Sequence, residues 1–213
     1  MLEIFLAAFV TFFVVIDPPG IAPMFATMTQ DMSAEWRRRM AWKSVAVATA
    51  VLIGFAFGGA WLLGKLGVTI DAFRIAGGVL LFLIAVDMLF EKRTERRTGR
   101  AEMVASEQAQ HPNKYDDISV FPLAIPLISG PGAIASVMLL FTQHADWAAR
   151  TALLAGAGAN LALCLGAFLL AGPLTRLMGP TVAAMLTRIF GILLAALAAQ
   201  FVVDGIRNAF APS

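Results

Sequence analysis

Ile16-Asp17-Pro18-Pro19-Gly20 (IDPPG) interrupts one of the most apolar runs of the chain. Fifteen residues of nearly unbroken hydrocarbon precede it, and IAPMFATM follows. Proline removes a backbone donor and its ring clashes with the preceding turn, so Pro18-Pro19 cannot continue a helix running through Ile16. Proline does suit the first turn of a new helix, and Asp17 is a good capping residue for it. The stretch therefore predicts two half-helices joined by an unwound joint. In lipid, such a joint is tolerated only where it is buried in protein or faces a water-filled cavity.

The surroundings point to lipid. Hydrophobic residues make up 59% of the 213 and charged residues only 14%, against roughly a quarter charged in a soluble domain. Six apolar stretches, at about 2–28, 40–63, 70–90, 118–141, 150–172 and 184–210, are each long enough to cross a hydrocarbon core of roughly 30 Å. The N-terminal MLEIFLAAFV carries an acid and no Lys or Arg. It reads as the start of the first span, not as a signal peptide. The single cysteine, Cys164, excludes an intrachain disulfide and a cysteine metal site, and reads as packing material. Residues 91–117, EKRTERRTGRAEMVASEQAQHPNKYDD, read as a mobile, charged cytoplasmic linker.

With the N-terminus outside, twelve basic residues fall on the cytoplasmic side (Arg37, Arg38, Arg39, Lys43, Lys92, Arg93, Arg96, Arg97, Arg100, Lys114, Arg176 and Arg188). Four, Lys65, Arg74, Arg150 and Arg207, remain on the other. The bias places both termini away from the cytoplasm. The basic runs then set topology, and no aromatic interleaving suggests nucleic acid.

A second stretch, ISGPGAIASVM at 128–138, answers the first. Laying Pro19-Gly20 on Pro131-Gly132 aligns Ile16 with Ile128 and Asp17 with Ser129. SAEWRRR at 33–39 lies on HADWAAR at 144–150, and RIAGGVLL at 74–81 on RIFGILLA at 188–195. The three matches keep their order, at offsets of 111 to 114. The chain thus divides into a three-helix repeat at 1–90, the linker at 91–117 and a second three-helix repeat at 118–213. Three spans per copy is odd, so the second copy enters the membrane from the opposite face. The expected fold is an all-α membrane protein of six transmembrane helices in two inverted-topology repeats, with helices 1 and 4 broken near the membrane midplane. In transporters built this way the substrate site lies where the two copies meet, at their matched helix breaks.

Each joint offers the free N–H groups of one half-helix to an anion and the carbonyls of the other to a cation. Asp17, Pro18, Pro19 and Gly20 form one expected wall of the site; Ser129, Gly130, Pro131 and Gly132 form the other. A small zwitterion fits such a pair of joints. Asp17 either caps the second half-helix or also binds substrate or a proton, since a carboxyl group in a span is a functional candidate by default. Ser129 would supply the same cap without charge. Asp87, Asp204, Arg74 and Arg188 sit near span ends as interface anchors. Ser44, Thr49, Asn160 and Gln200 serve interhelical hydrogen bonds or line the cavity. Small residues in GFAFGGA and AGAGANLALCLGA suit close helix packing.

With IDPPGIAP, RIAGG and ISGPGAIA in place, the chain resembles the MarC family of bacterial inner-membrane proteins over essentially its whole length. The resemblance implies six membrane helices with the long polar loop in the middle. Some relatives are described as transporters of small neutral amino acids such as alanine and glycine. Some carry Asn-Pro where this chain has Asp17-Pro18, which implies that an amide can serve there.

The expectation is a secondary transporter of a small polar solute, most directly a small neutral amino acid, working by alternating access. Rival readings are a passive channel or exporter of another solute, a non-transporting membrane protein, and an intramembrane enzyme. The enzyme is disfavoured: no His lies in a span, the lone cysteine lacks a base, and no metal-ligand spacing or cofactor motif is present. The expected partners are the lipid bilayer and the small-molecule substrate, with no nucleic acid; a homo-oligomer is compatible with the Trp- and Phe-rich surface.

Overall fold

A computed structural model describes residues 1–110 and 117–210. The end of the expected linker, including Lys114, lies outside them. Every regular element among the described residues is helical.

Helix α1 spans Leu2–Ile16 and α2 spans Pro18–Met28, with Asp17 alone between them. Together they make one apolar length, Leu2–Met28. Next come α3 (Ala34–Lys65), α4 (Ile70–Leu89) and α5 (Lys92–Gln110). After an irregular segment at Ser119–Ile128 follow α6 (Pro131–Gln143), α7 (Trp147–Leu169) and α8 (Ala171–Ala209). Local chemistry sets several starts: Ser33 accepts from the Trp36 amide at 3.2 Å, Thr69 from Ala72 at 3.1 Å and Asp146 from Ala149 at 3.0 Å. Such caps satisfy amide donors that a helix N-terminus otherwise leaves orphaned. Gly179, at φ +64°, breaks α8, and Thr181–Ala209 is its membrane-length part.

Five helical lengths are long and apolar enough to cross a membrane; a sixth results if Ser119–Ile128 and α6, which meet at 57°, form one span. Leu6, Val10, Trp61, Phe82 and Ile192 stand on the outside of the bundle, a surface that suits hydrocarbon and not water.

Two sequence expectations are corrected. The first half of the fourth span is not an α-helix. Phe121 and Ile125 are extended, each precedes a proline in cis, and the hydrogen bonds Leu123 N–H to Ile118 O (3.3 Å) and Ser129 N–H to Ala124 O (2.9 Å) reach back five residues. Prolines four residues apart remove the donors that an α-helix needs there. The second correction concerns the linker: Lys92–Gln110 is helix α5, packed against α2 and α4. Its buried or half-buried side chains, Arg93, Arg97, Ala101 and Val104, recur at helical spacing.

Packing is closest between α4 and α8, which run antiparallel. A Cβ on Gly78 would lie 2.8 Å from the Ala198 carbonyl, and one on Gly205 would lie 2.7 Å from Ile75. The first span runs alongside α7 through Gly156 under Phe5, the Asn160–Phe9 hydrogen bond (2.7 Å) and the stacked Phe25–Phe168 pair. The Ser119–Ile128 segment and α6 pack in turn on α3. Each interrupted length therefore lies against the middle helix of the opposite half of the chain.

Candidate functional site

Asp17 serves as C-cap of α1 and N-cap of α2, in the left-handed region at φ 62°, ψ 63°. A following proline disfavours the right-handed helical region, and Asp is among the few side chains that visit the left-handed one readily. Its Oδ1 accepts from the Gly20 amide at 3.1 Å. Gly20 is required by this close approach, because a Cβ there would collide with the Asp17 carboxylate. Oδ2 accepts from Thr187 Oγ1 of α8 and from Arg97 Nη1 of α5, both at 3.3 Å. Asp17 is 1% exposed and Arg97 11%. The capping expectation thus holds for Asp17, with an addition that span hydropathy did not reveal: a buried guanidinium from the polar helix compensates the acid.

Ser129 does not act as its counterpart. Its buried hydroxyl donates backwards to the Ala124 carbonyl at 2.8 Å, and Gly130 caps α6 without a side-chain acceptor. The irregular turn before Ser129 brings that carbonyl within reach of both groups of the residue, and it accepts from the Ser129 amide (2.9 Å) as well as from the hydroxyl.

Arg93 donates from Nη2 to the Val15 carbonyl, 2.7 Å away at the end of α1, and its Nη1 contacts Met88 Sδ at 2.9 Å. Arg96 pairs with Asp87 of α4 at 2.7 Å, and Arg188 of α8 with Glu91 at 2.5 Å. Three of these contacts seat the first turns of α5 against α1 and α4, and the fourth holds Glu91, the residue before α5, against α8. Outside the spans, Asp117 is paired with Lys43 of α3. That hydrogen bond first, then those from Ser119, hold its carboxylate at about 2, below the usual range.

A cavity of about 270 Å³ opens between these elements. Gly130, Pro131, Gly132 and Ala133 of the second break form one side; Val15, Ile84 and Asp87 form another. Arg93, Arg96, Arg97 and Arg100 of α5 complete it. A smaller cavity of about 170 Å³ lies beyond Arg97, bounded by Asp17, Gly20, Thr187 and residues of α2 and α8. The two expected walls are therefore not opposite faces of one cavity. Arg97, which borders both, stands between them. Neither cavity is bordered by Pro18, Pro19 or Ser129.

Their position in a polar stretch makes the α5 arginines read as topology determinants in the sequence. The signal for their inward face is the spacing Arg93, Arg97, Ala101, with Val104 one turn further on. Of the four polar span residues, only Asn160 bonds across helices; Ser44, Thr49 and Gln200 bond within their own. Among the described residues no cluster of three or more metal-ligating side chains is found.

This is a polytopic α-helical membrane protein with an irregular, bent segment before α6, a buried ion pair and a partly enclosed, arginine-lined cavity. It belongs to the MarC family of integral membrane proteins, matching it over residues 2–210. A UPF0056 membrane protein of Archaeoglobus fulgidus is 34% identical over 205 residues, covering 96% of this chain and 93% of its own. UPF0056 membrane protein MJ1677 of Methanocaldococcus jannaschii is 34% identical, covering 98% of both chains. UPF0056 membrane protein YhcE of Escherichia coli is also 34% identical, covering 95% of this chain and 91% of its own. No solved structure matches the chain.

Proposed function

We propose that this chain is a secondary transporter that carries a small polar solute, in the first instance a small neutral amino acid, across the inner membrane by alternating access. The two halves, 1–90 and 118–213, are inverted repeats, and both termini face away from the cytoplasm. The joints at residues 17–20 and 129–132 lie near the midplane, and the solute path runs past those of their residues that border the two cavities, Asp17 and Gly20 at the first and Gly130, Pro131 and Gly132 at the second.

The observation that carries this reading is the cavity at the second break. Gly130, Pro131 and Gly132 border a space of about 270 Å³, where α6 begins without a side-chain cap. Free N–H groups at a helix start, with guanidinium groups opposite, suit a solute carboxylate. Support for inverted repeats comes from the packing exchange, in which α1 and α2 lie on α7 while α6 and the segment before it lie on α3. Alternating access is favoured over a channel by the Asp17–Arg97 pair, which lies between the two cavities. Exchange of one partner for solute would join them.

The reading is tested with the purified chain in liposomes preloaded with unlabelled alanine and glycine. Saturable uptake of labelled alanine against that pool is expected. Uptake without saturation or counterflow would mean a channel, and none from folded protein would remove the substrate assignment.

A further inference from the structure

The charges bordering the larger cavity do not balance. Arg96 is matched by Asp87 and Arg97 by Asp17, at 2.7 and 3.3 Å. Arg93 has no carboxylate partner among the described residues; its contacts are the Val15 carbonyl and the Met88 sulfur. Arg100 likewise has none, and its guanidinium lies over the Phe121 ring at 5.9 Å. Asp17 and Asp87 act on Arg93 only from beyond contact distance, so four guanidinium groups border the cavity against two carboxylates. The amide donors of the first turn of α6 add to the same field, since neither Pro131 nor its Gly130 cap offers a side-chain acceptor. A partly enclosed site strengthens this field relative to open water. A zwitterion brings as much positive as negative charge into it; an anion brings only the compensating kind.

We propose that this cavity is an oxyanion site, with Arg93 and Arg100, neither held in a contact ion pair, supplying its excess positive charge, that binds small net-anionic solutes, carboxylates or phosphate, in preference to zwitterions of similar size. The inference rests on the reading that this cavity is the solute site, and it reorders the solutes within that reading. Arg93 would hold oxyanion oxygens through the guanidinium edge facing the cavity, and Arg100 would close the wider side. The fork of an arginine matches either a carboxylate or a phosphate.

The test is equilibrium binding to the full chain in detergent, with succinate, inorganic phosphate and alanine as separate probes at low and raised sodium chloride. Succinate or phosphate is expected to bind roughly tenfold or more tightly than alanine, the size of one charge-assisted contact. Which of the two is tighter separates an organic acid from phosphate. Salt should weaken the anions and leave alanine little changed. Arg93→Gln should lose most of the anion preference. Arg100→Gln, at an exposed position where folding is not at stake, should weaken anions by a smaller factor, and Arg207→Gln should change nothing. Alanine binding as tightly as the anions, no binding by any probe, or full anion affinity in both Arg93→Gln and Arg100→Gln would overturn the proposal. Alanine counterflow that succinate and phosphate fail to inhibit would also overturn it while leaving the carrier standing. Anion binding lost in Arg93→Gln, in a protein with no counterflow, would keep the site and remove the carrier.

Discussion

Asp17 and Arg97 form an ion pair inside the bundle, and a double-variant cycle measures what it contributes. Their charged atoms are 3.3 Å apart, with Asp17 1% and Arg97 11% exposed. At an effective dielectric constant near 20, attraction at that distance is about 5 kcal/mol, most of it offset by desolvation of the two groups. Asp17→Asn keeps the Oδ1 acceptor for the Gly20 amide and puts an amide that can donate to Thr187 Oγ1 in place of Oδ2, so it removes chiefly the charge. Arg97→Gln removes the opposite charge. Each alone leaves an uncompensated ion in a poorly hydrated place and should cost about 3–5 kcal/mol. The double variant leaves none, so its cost should fall short of the sum by about 1–3 kcal/mol. Equilibrium unfolding in mixed micelles, followed by helical circular dichroism, gives all four corners. Costs that add to within about 0.5 kcal/mol would refute the coupling and, with it, the role of α5 as part of the membrane core.

Other expectations concern packing and pH. Gly78→Ala should destabilise by about 1–3 kcal/mol, because the added methyl meets the Ala198 carbonyl at 2.8 Å. Gly58→Ala, with nothing within 4 Å of its Cβ, should be neutral or slightly stabilising in the same unfolding assay. Asn160→Leu removes the bond to the Phe9 carbonyl (2.7 Å) and should cost about 0.6–1.7 kcal/mol, read the same way. Asp117, held at about 2 against an ordinary 3.8, contributes stability that is complete above that ordinary value and fades as pH falls towards 2. The difference in unfolding temperature between wild type and Asp117→Asn should thus be constant from pH 7.5 to 5 and shrink below pH 4; growth of the difference on acidification would contradict the assignment.

The stop at Ile16 and restart at Pro18 are legible because proline constrains the backbone whatever surrounds it. The same holds for the capped starts at Ser33, Thr69 and Asp146. The irregular turn over FPLAIPLI was hidden by its hydropathy, which matches that of an apolar helix, although its two prolines marked the trouble. Helix α5 was missed for the opposite reason. Its inward face is built from arginine and alanine, so an average over the stretch registers only polarity. Arginine faces inward there because acids, a backbone carbonyl and a cavity await it, and those belong to residues far away in the chain. Ser129 aligns with Asp17 and so reads as a cap, but the turn preceding it offers the Ala124 carbonyl instead.

The most direct test of the central claim, that the cavity at the second break is the solute site of a carrier, is counterflow by Gly132→Leu beside Gly158→Leu. A Cβ on Gly132 already lies 3.0 Å from Val15 and Ile84, which border the cavity with it, so a longer side chain must displace these lining residues or fill the space beside them, whereas one on Gly158 meets nothing within 4 Å. With both variants monodisperse and helical, labelled alanine or succinate should exchange through Gly158→Leu as through the wild type and not through Gly132→Leu. Undiminished exchange through Gly132→Leu would place the solute path elsewhere in the molecule.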